Sequence, residues 1–171
     1  MTSIRFAQAK PPAAHVLERV QVVRAGRDEA FAFYADAFNL ESITPPWIRF
    51  RVITPSPIAM DEGTLIDYRL ALHGAPVRWR TQIAVWEPPH RFVDIQLRGP
   101  FSLWEHTHTF EPDDGGALIR DVVRYQVPFG PLGRIAERLV VRRDLRRIFD
   151  YRHEAVAQIM GSAATRSGSN T

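Results

Sequence analysis

Apolar and polar side chains alternate along most of the chain from His15 to Pro128, most regularly between Phe92 and Pro128. In a strand, residues i and i+2 share a face. Over 99–110 this spacing puts Trp104, His106, His108 and Phe110 together, with Phe101, Leu103, Glu105, Thr107 and Thr109 opposite. Over the next run Ala117, Ile119, Asp121, Val123 and Tyr125 share a face, and Arg120, Arg124 and Gln126 hold the other. The arginines mark solvent, so Asp121 is expected to point inward. With Trp104 and Phe110 turned the same way, two histidines and an aspartate gather on an otherwise apolar inner face.

The same alternation predicts earlier strands. His15–Arg24 carries Val16, Val20 and Val22 on one face beside Glu18. Trp47–Thr54 sets Ile48, Phe50 and Val52 against Arg49 and Arg51. Thr64–Leu72 turns Ile66, Tyr68 and Leu70 inward, and Val77–Trp86 does so with Trp79, Thr81, Ile83 and Val85. The run Phe92–Leu97 can be faced either way: Val93, Ile95 and Leu97 inside leave Asp94 and Gln96 in solvent, and the reverse brings Asp94 to the cluster. Asp113-Asp114-Gly115-Gly116 is a hairpin signal.

Two helical regions flank the strands. Asp28 fits the N-cap of a helix over 29–38, rich in aromatics with Phe31, Phe33, Tyr34 and Phe38. A short second turn over 40–43 follows, stopped by Thr44-Pro45-Pro46 because proline lacks the N–H to continue. From Pro131 the period lengthens: Leu132, Ile135, Leu139, Ile148, Phe149, Val156 and Ile159 recur at roughly helical spacing, and Gly161 suits the stop. About thirty residues make a helix about 45 Å long, enough to cross a small sheet.

These elements predict an α+β domain over 15–160. A curved antiparallel sheet of six or seven strands wraps around the long C-terminal helix, with two short helices after the first strand. Residues 1–14 read as a flexible lead-in and 161–171 as a disordered tail.

Composition narrows the function. At 171 residues, 45% hydrophobic and 24% charged, the chain is long enough to bury roughly 70% of its unfolded surface unaided. It has no cysteine, which removes disulfides, thiolate chemistry and Cys-based metal sites. No apolar run reaches the length of a spanning helix, so no stable membrane insertion is expected, and the first residues lack the apolar core of a signal peptide. A cytoplasmic protein is the default. The net charge of +3 is too small to imply nucleic acid. The dense basic run Arg142, Arg143, Arg146 and Arg147 lies along one side of a helix, as a solvated face or a contact for an acidic partner.

The segments Leu40–Phe50, Gly63–Leu70, Pro76–Trp79, Phe92–Gln96, Gly99–Phe110 and Asp121–Pro128 resemble the SRPBCC superfamily, the START/Bet v 1-like helix-grip proteins. The chain looks closest to a bacterial branch described as cyclase/dehydrase-like, and the W-x-H-x-H segment is the most specific part of the resemblance. The resemblance spans roughly residues 15–158. It implies a deep cavity between sheet and C-terminal helix that binds hydrophobic small molecules such as lipids, polyketides or aromatics.

Three readings of the polar cluster stay open at this stage. An H-x-H pair on a strand suits a metal with Asp121 or Asp94 as a further ligand, but the segment offers no second histidine pair, and neither metal nor cofactor is expected. His106 or His108, oriented by Asp121, suits general acid/base catalysis of a cyclase or dehydratase. Otherwise the side chains satisfy one another as a structural network. The expected ligand walls are Tyr68, Trp79, Asp94, Trp104, Phe110, Tyr125, Phe38 and Trp47, with Arg152 able to reach a ligand carboxylate. The binding of a hydrophobic or aromatic molecule is therefore the first functional expectation. The cyclase/dehydratase is the second, and a regulatory module using the basic helix face is the third.

Overall fold

The computed structural model describes residues 14–161. Seven strands form one antiparallel sheet in the order β1-β7-β6-β5-β4-β3-β2. They are β1 (His15–Val23), β2 (Arg51–Val52), β3 (Leu65–Leu72), β4 (Ala75–Glu87), β5 (Arg91–Arg98), β6 (Leu103–Asp113) and β7 (Gly116–Gln126). Helices α1 (Arg27–Ala35) and α2 (Asn39–Ser42) and a 3₁₀ turn (Pro46–Ile48) lie between β1 and β2. The terminal helix comprises α3 (Gly130–Ala136), a π turn (Glu137–Val141) and α4 (Arg142–Met160). This is the expected helix-grip architecture, with seven strands. The expected lead-in and tail fall almost wholly outside the described residues.

Two hairpins fix the register. His73 and Gly74, both with positive φ (50° and 83°), turn β3 directly into β4. Asp114 and Gly115 do the same between β6 and β7, where Asp113 pairs with Gly116. The core divides in two, a larger part around Phe31, Ile66, Ile83, Phe92, Phe110 and Ile119 and a smaller one around Val123, Tyr125, Leu145 and Phe149.

Several expectations are corrected. Val16 and Val20 of β1 face solvent, 62% and 43% exposed. The register explains it: Arg19 pairs with Asp121 and Gln21 with Ile119, so the odd-numbered residues share the inner face. Arg19 there meets Asp150 at 2.6 Å, and Gln21 Nε2 donates to the carbonyl of His153 at 2.9 Å, tying β1 to α4. In β4 a register shift between Ile83 and Val85 breaks the alternation, and Trp86 rather than Val85 joins the core against Phe31, 5.2 Å between ring centroids.

The strand expected over 47–54 shrinks to two residues. Pro45 and Pro46 lead into the 3₁₀ turn, Arg49 closes it in a left-handed conformation (φ 49°), and the Glu41 carboxylate takes the amide of Val52. Helix α1 begins at Arg27 with Gly26 at its cap. Asp28 sits in its first turn, where its charge complements the helix dipole.

In the terminal helix Leu132 and Leu139, expected to be packed, are 73% and 71% exposed. A π turn holds more residues than an α turn, which rotates the upstream segment relative to α4. Gly133 and Glu137 become buried in line with Leu145, Phe149 and Val156, and Ile135 turns to solvent. A Cβ at Gly133 would lie 1.9 Å from the carbonyl oxygen of Pro128, so only glycine permits this approach. Two of the four clustered arginines have partners: Arg142 binds the Glu137 carboxylate through two nitrogens, at 3.0 and 3.1 Å, and Arg147 lies 5.3 Å above the Trp47 ring.

Candidate functional site

A cavity of about 610 Å³ separates the sheet from the terminal helix. Tyr68, Ile83, Trp79, Trp104, Leu40 and Phe149 supply apolar wall, and Asp94 of β5 with His106 and His108 of β6 form a polar cluster in it.

The register assembles that polar region. His106 on β6 pairs with Asp94 on β5, and His108 pairs with Asp121 on β7. All four point to the inner face, which settles the orientation of β5: Phe92 and Asp94 turn inward. Asp121 Oδ1 is 2.7 Å from His108 Nδ1 and 3.3 Å from His106 Nε2. Asp94 Oδ2 is 3.3 Å from His108 Nε2 and 3.7 Å from His106 Nδ1. Each carboxylate therefore bridges both imidazoles, one from each side. The contacts on the Asp121 side are close but off-axis, because His106 Nε2, His108 Nδ1 and Asp121 Oδ1 have no partner at a hydrogen-bonding angle.

Aromatic rings hold the imidazoles. Phe92 stacks on His108 at 4.2 Å between centroids, Tyr34 meets its edge at 5.6 Å, and Phe149 packs against His106 at 5.6 Å. Electrostatics divide the two histidines. Burial works against the charged form of His108, but the adjacent Asp121 carboxylate outweighs it and holds His108 above the usual imidazole range. His106 lies below that range through burial and repulsion from His108. Burial alone would raise Asp121, yet the flanking imidazoles hold it well below the ordinary carboxylate range. Burial raises the phenols of Tyr34 and Tyr68, so both are neutral donors.

Of the residues expected from sequence, Tyr68, Trp79, Asp94, Trp104, His106, His108 and Arg152 line the cavity. Arg152 brings a guanidinium whose buried Nε has no hydrogen-bond partner. Asp121 sits behind the histidines and not in the cavity wall. The other four expected wall residues lie elsewhere. Phe110 is core, packed on Phe31 and Tyr34. Tyr125 gives its hydroxyl to Glu137 at 3.0 Å. Phe38 caps α2 outside the lining. Trp47 is 49% exposed and packs against Tyr151 and Arg147 on the outside.

Sequence reasoning missed Phe92, Phe149 and Glu137. Phe149 and Glu137 had a signal, since positions 133, 137, 141, 145, 149, 152 and 156 form a stripe at spacings of three and four. Phe92 had none, because its strand reads equally well either way.

Fold and site define a cavity-bearing helix-grip protein. The sequence profile of the family described as polyketide cyclase / dehydrase and lipid transport matches residues 23–150. The chain belongs to that family. No curated protein matches the chain. Among solved structures it is similar to a protein from Chromobacterium violaceum at 12% identity and TM-score 0.66, covering 86% of this chain and 98% of that one. It is also similar to a START superfamily protein from Mycobacterium smegmatis at 14% identity and TM-score 0.60, covering 85% and 99%. The di-domain aromatase/cyclase StfQ of the steffimycin biosynthetic pathway matches at 15% identity and TM-score 0.66, covering 86% of this chain and 50% of that one. At such identities the likeness is one of fold. No helix among the described residues is long and apolar enough to cross a membrane.

Proposed function

We propose that the protein binds an apolar, ring-containing or acyl small molecule in the cavity, with the ligand's polar end at Asp94, His106 and His108. One observation carries this reading: a 610 Å³ space with aromatic walls has Asp94, His106 and His108 together in its lining. Apolar burial supplies the affinity at roughly 25 cal/mol per Å², and the few convergent polar groups supply orientation. Arg152 adds a cation suited to an acidic ligand.

The family description also raises a cyclase or dehydratase reading, which uses the same residues. Acid/base work there asks for an imidazole nitrogen free to reach a substrate. Here the nitrogens on the Asp94 side abut a carboxylate at 3.3 and 3.7 Å, so binding is the reading adopted.

Native mass spectrometry of protein from its own source, with release and identification of bound molecules, tests the proposal. One apolar species near stoichiometric occupancy supports it. Empty protein that also fails to bind anilinonaphthalene sulfonate in the cavity overturns it.

A further inference from the structure

The donor atoms of Asp94, His106 and His108 are mutually close: one from each residue lies within 4.8 Å of the other two. Asp94 Oδ2 stands 3.3 and 3.7 Å from the two imidazole nitrogens on its side. Two ligands bound at about 2.1 Å with a tetrahedral angle between them stand about 3.4 Å apart. We propose that Asp94, His106 and His108 form a binding site for a divalent first-row transition-metal ion such as zinc, set in the lining of the cavity.

The placement of the four residues supports this beyond distance. Asp94, His106 and His108 line the cavity and Asp121 does not. Asp121 instead contacts the other nitrogen of both imidazoles, at 2.7 and 3.3 Å. A carboxylate behind metal-bound histidines fixes ring orientation and raises ligand basicity. Both sheet neighbours of β6 thus contribute: β5 gives a ligand and β7 gives the support.

Asp94 and Asp121 bring two negative charges beside the buried His106 and His108, and a dication held there is attracted by both. Two imidazoles and one carboxylate are nitrogen and oxygen donors suited to zinc or ferrous iron. Three protein ligands leave a position open towards the cavity, where an oxygen of the bound molecule would coordinate. The site goes beyond the binding reading and does not depend on it.

The test uses cobalt(II) as probe on the full chain after chelator treatment. The expected result is one equivalent bound, with visible ligand-field absorption, and zinc displacing it. Asp94→Asn, His106→Gln and His108→Gln should each weaken binding at least tenfold. Asp121→Asn should weaken it about 10- to 100-fold while keeping the band shape. His73→Gln removes an exposed histidine paired with Asp144 and should change nothing. Circular dichroism screens each variant for folding, and Asp94→Asn alters a residue outside the packed core, so one informative variant survives if the histidine changes unfold the protein. Failure to bind stoichiometric cobalt overturns the proposal, as does binding that survives Asp94→Asn. Anilinonaphthalene sulfonate binding by the metal-free protein reports on the cavity separately, so the two proposals fail independently.

Discussion

Asp121 and His108 stand directly opposite one another across β7 and β6, with Oδ1 2.7 Å from Nδ1. The pair is a product of register. It is set by the Asp114–Gly115 turn only a few residues away, and a one-residue slip would send both side chains to solvent. Because each carboxylate touches both histidines, the cluster behaves as one unit.

Replacing Asp121 with Asn should therefore cost more than a surface charge would. Removing one partner of a buried charged pair costs about 3 kcal/mol. Urea unfolding of the metal-free protein at pH 7 measures it. A loss below about 1 kcal/mol would mean that the two imidazoles do not rely on this carboxylate.

Glu137, 1% exposed, is held by Arg142 and by the Tyr125 hydroxyl. Burial alone would raise its carboxyl, but these hydrogen bonds hold it below its ordinary value of 4.5, and Tyr125 is pushed up to about 12 by burial and by Glu137. A carboxyl lowered in the folded state stabilises fully above its unfolded value, and that stability is lost as pH falls through the folded one. Wild-type unfolding midpoints should fall below about pH 4.5, and Glu137→Gln should flatten that fall while losing about 2 kcal/mol at pH 7. Parallel slopes for the two proteins would exclude Glu137 as the source.

At Gly133 the backbone of α3 rests against Pro128. Gly133→Ala should cost about 1–3 kcal/mol through overpacking, or displace α3 from the cavity rim that Leu132 and Gly133 help to form. Thermal unfolding reads the first and anilinonaphthalene sulfonate affinity the second. A variant unchanged in both would contradict the close approach.

Arg152 should select for acidic ligands. Arg152→Leu is expected to weaken an anionic fluorescent probe about tenfold, equivalent to about 1.4 kcal/mol, and to leave a neutral probe of similar size nearly unaffected. Equal losses for both would assign Arg152 to packing over Phe149, 5.1 Å away.

The inner faces of β3, β6 and β7 were legible because each strand alternates cleanly and carries arginine or another charge on its solvent side. His106, His108 and Asp121 were placed correctly by period alone. Asp94 was not, since Val93 and Ile95 are as apolar as Phe92; only pairing with β6 decides its side. In β1 the valines misled, because the inner face of that edge strand meets the polar groups of α4 through Arg19 and Gln21. The bulge that brings in Trp86 and the π turn that exposes Ile135 each shift the frame within one element, and a constant period cannot represent such a shift. Trp47 and Tyr125 read as wall by residue type, yet both are engaged elsewhere.

The sheet order joins β1 to β7: Val23 pairs with Ala117 and His15 with Tyr125. β1 thus waits for β7, across roughly a hundred residues of intervening chain. Such distant pairing makes folding slow, because the entropy of closing the loop is lost before any contact compensates. Asp121 lies on β7, so during synthesis the polar cluster is incomplete until that strand is added. A chain halted before Asp121 also leaves its aromatic inner surface uncovered, because the terminal helix that packs on it follows β7.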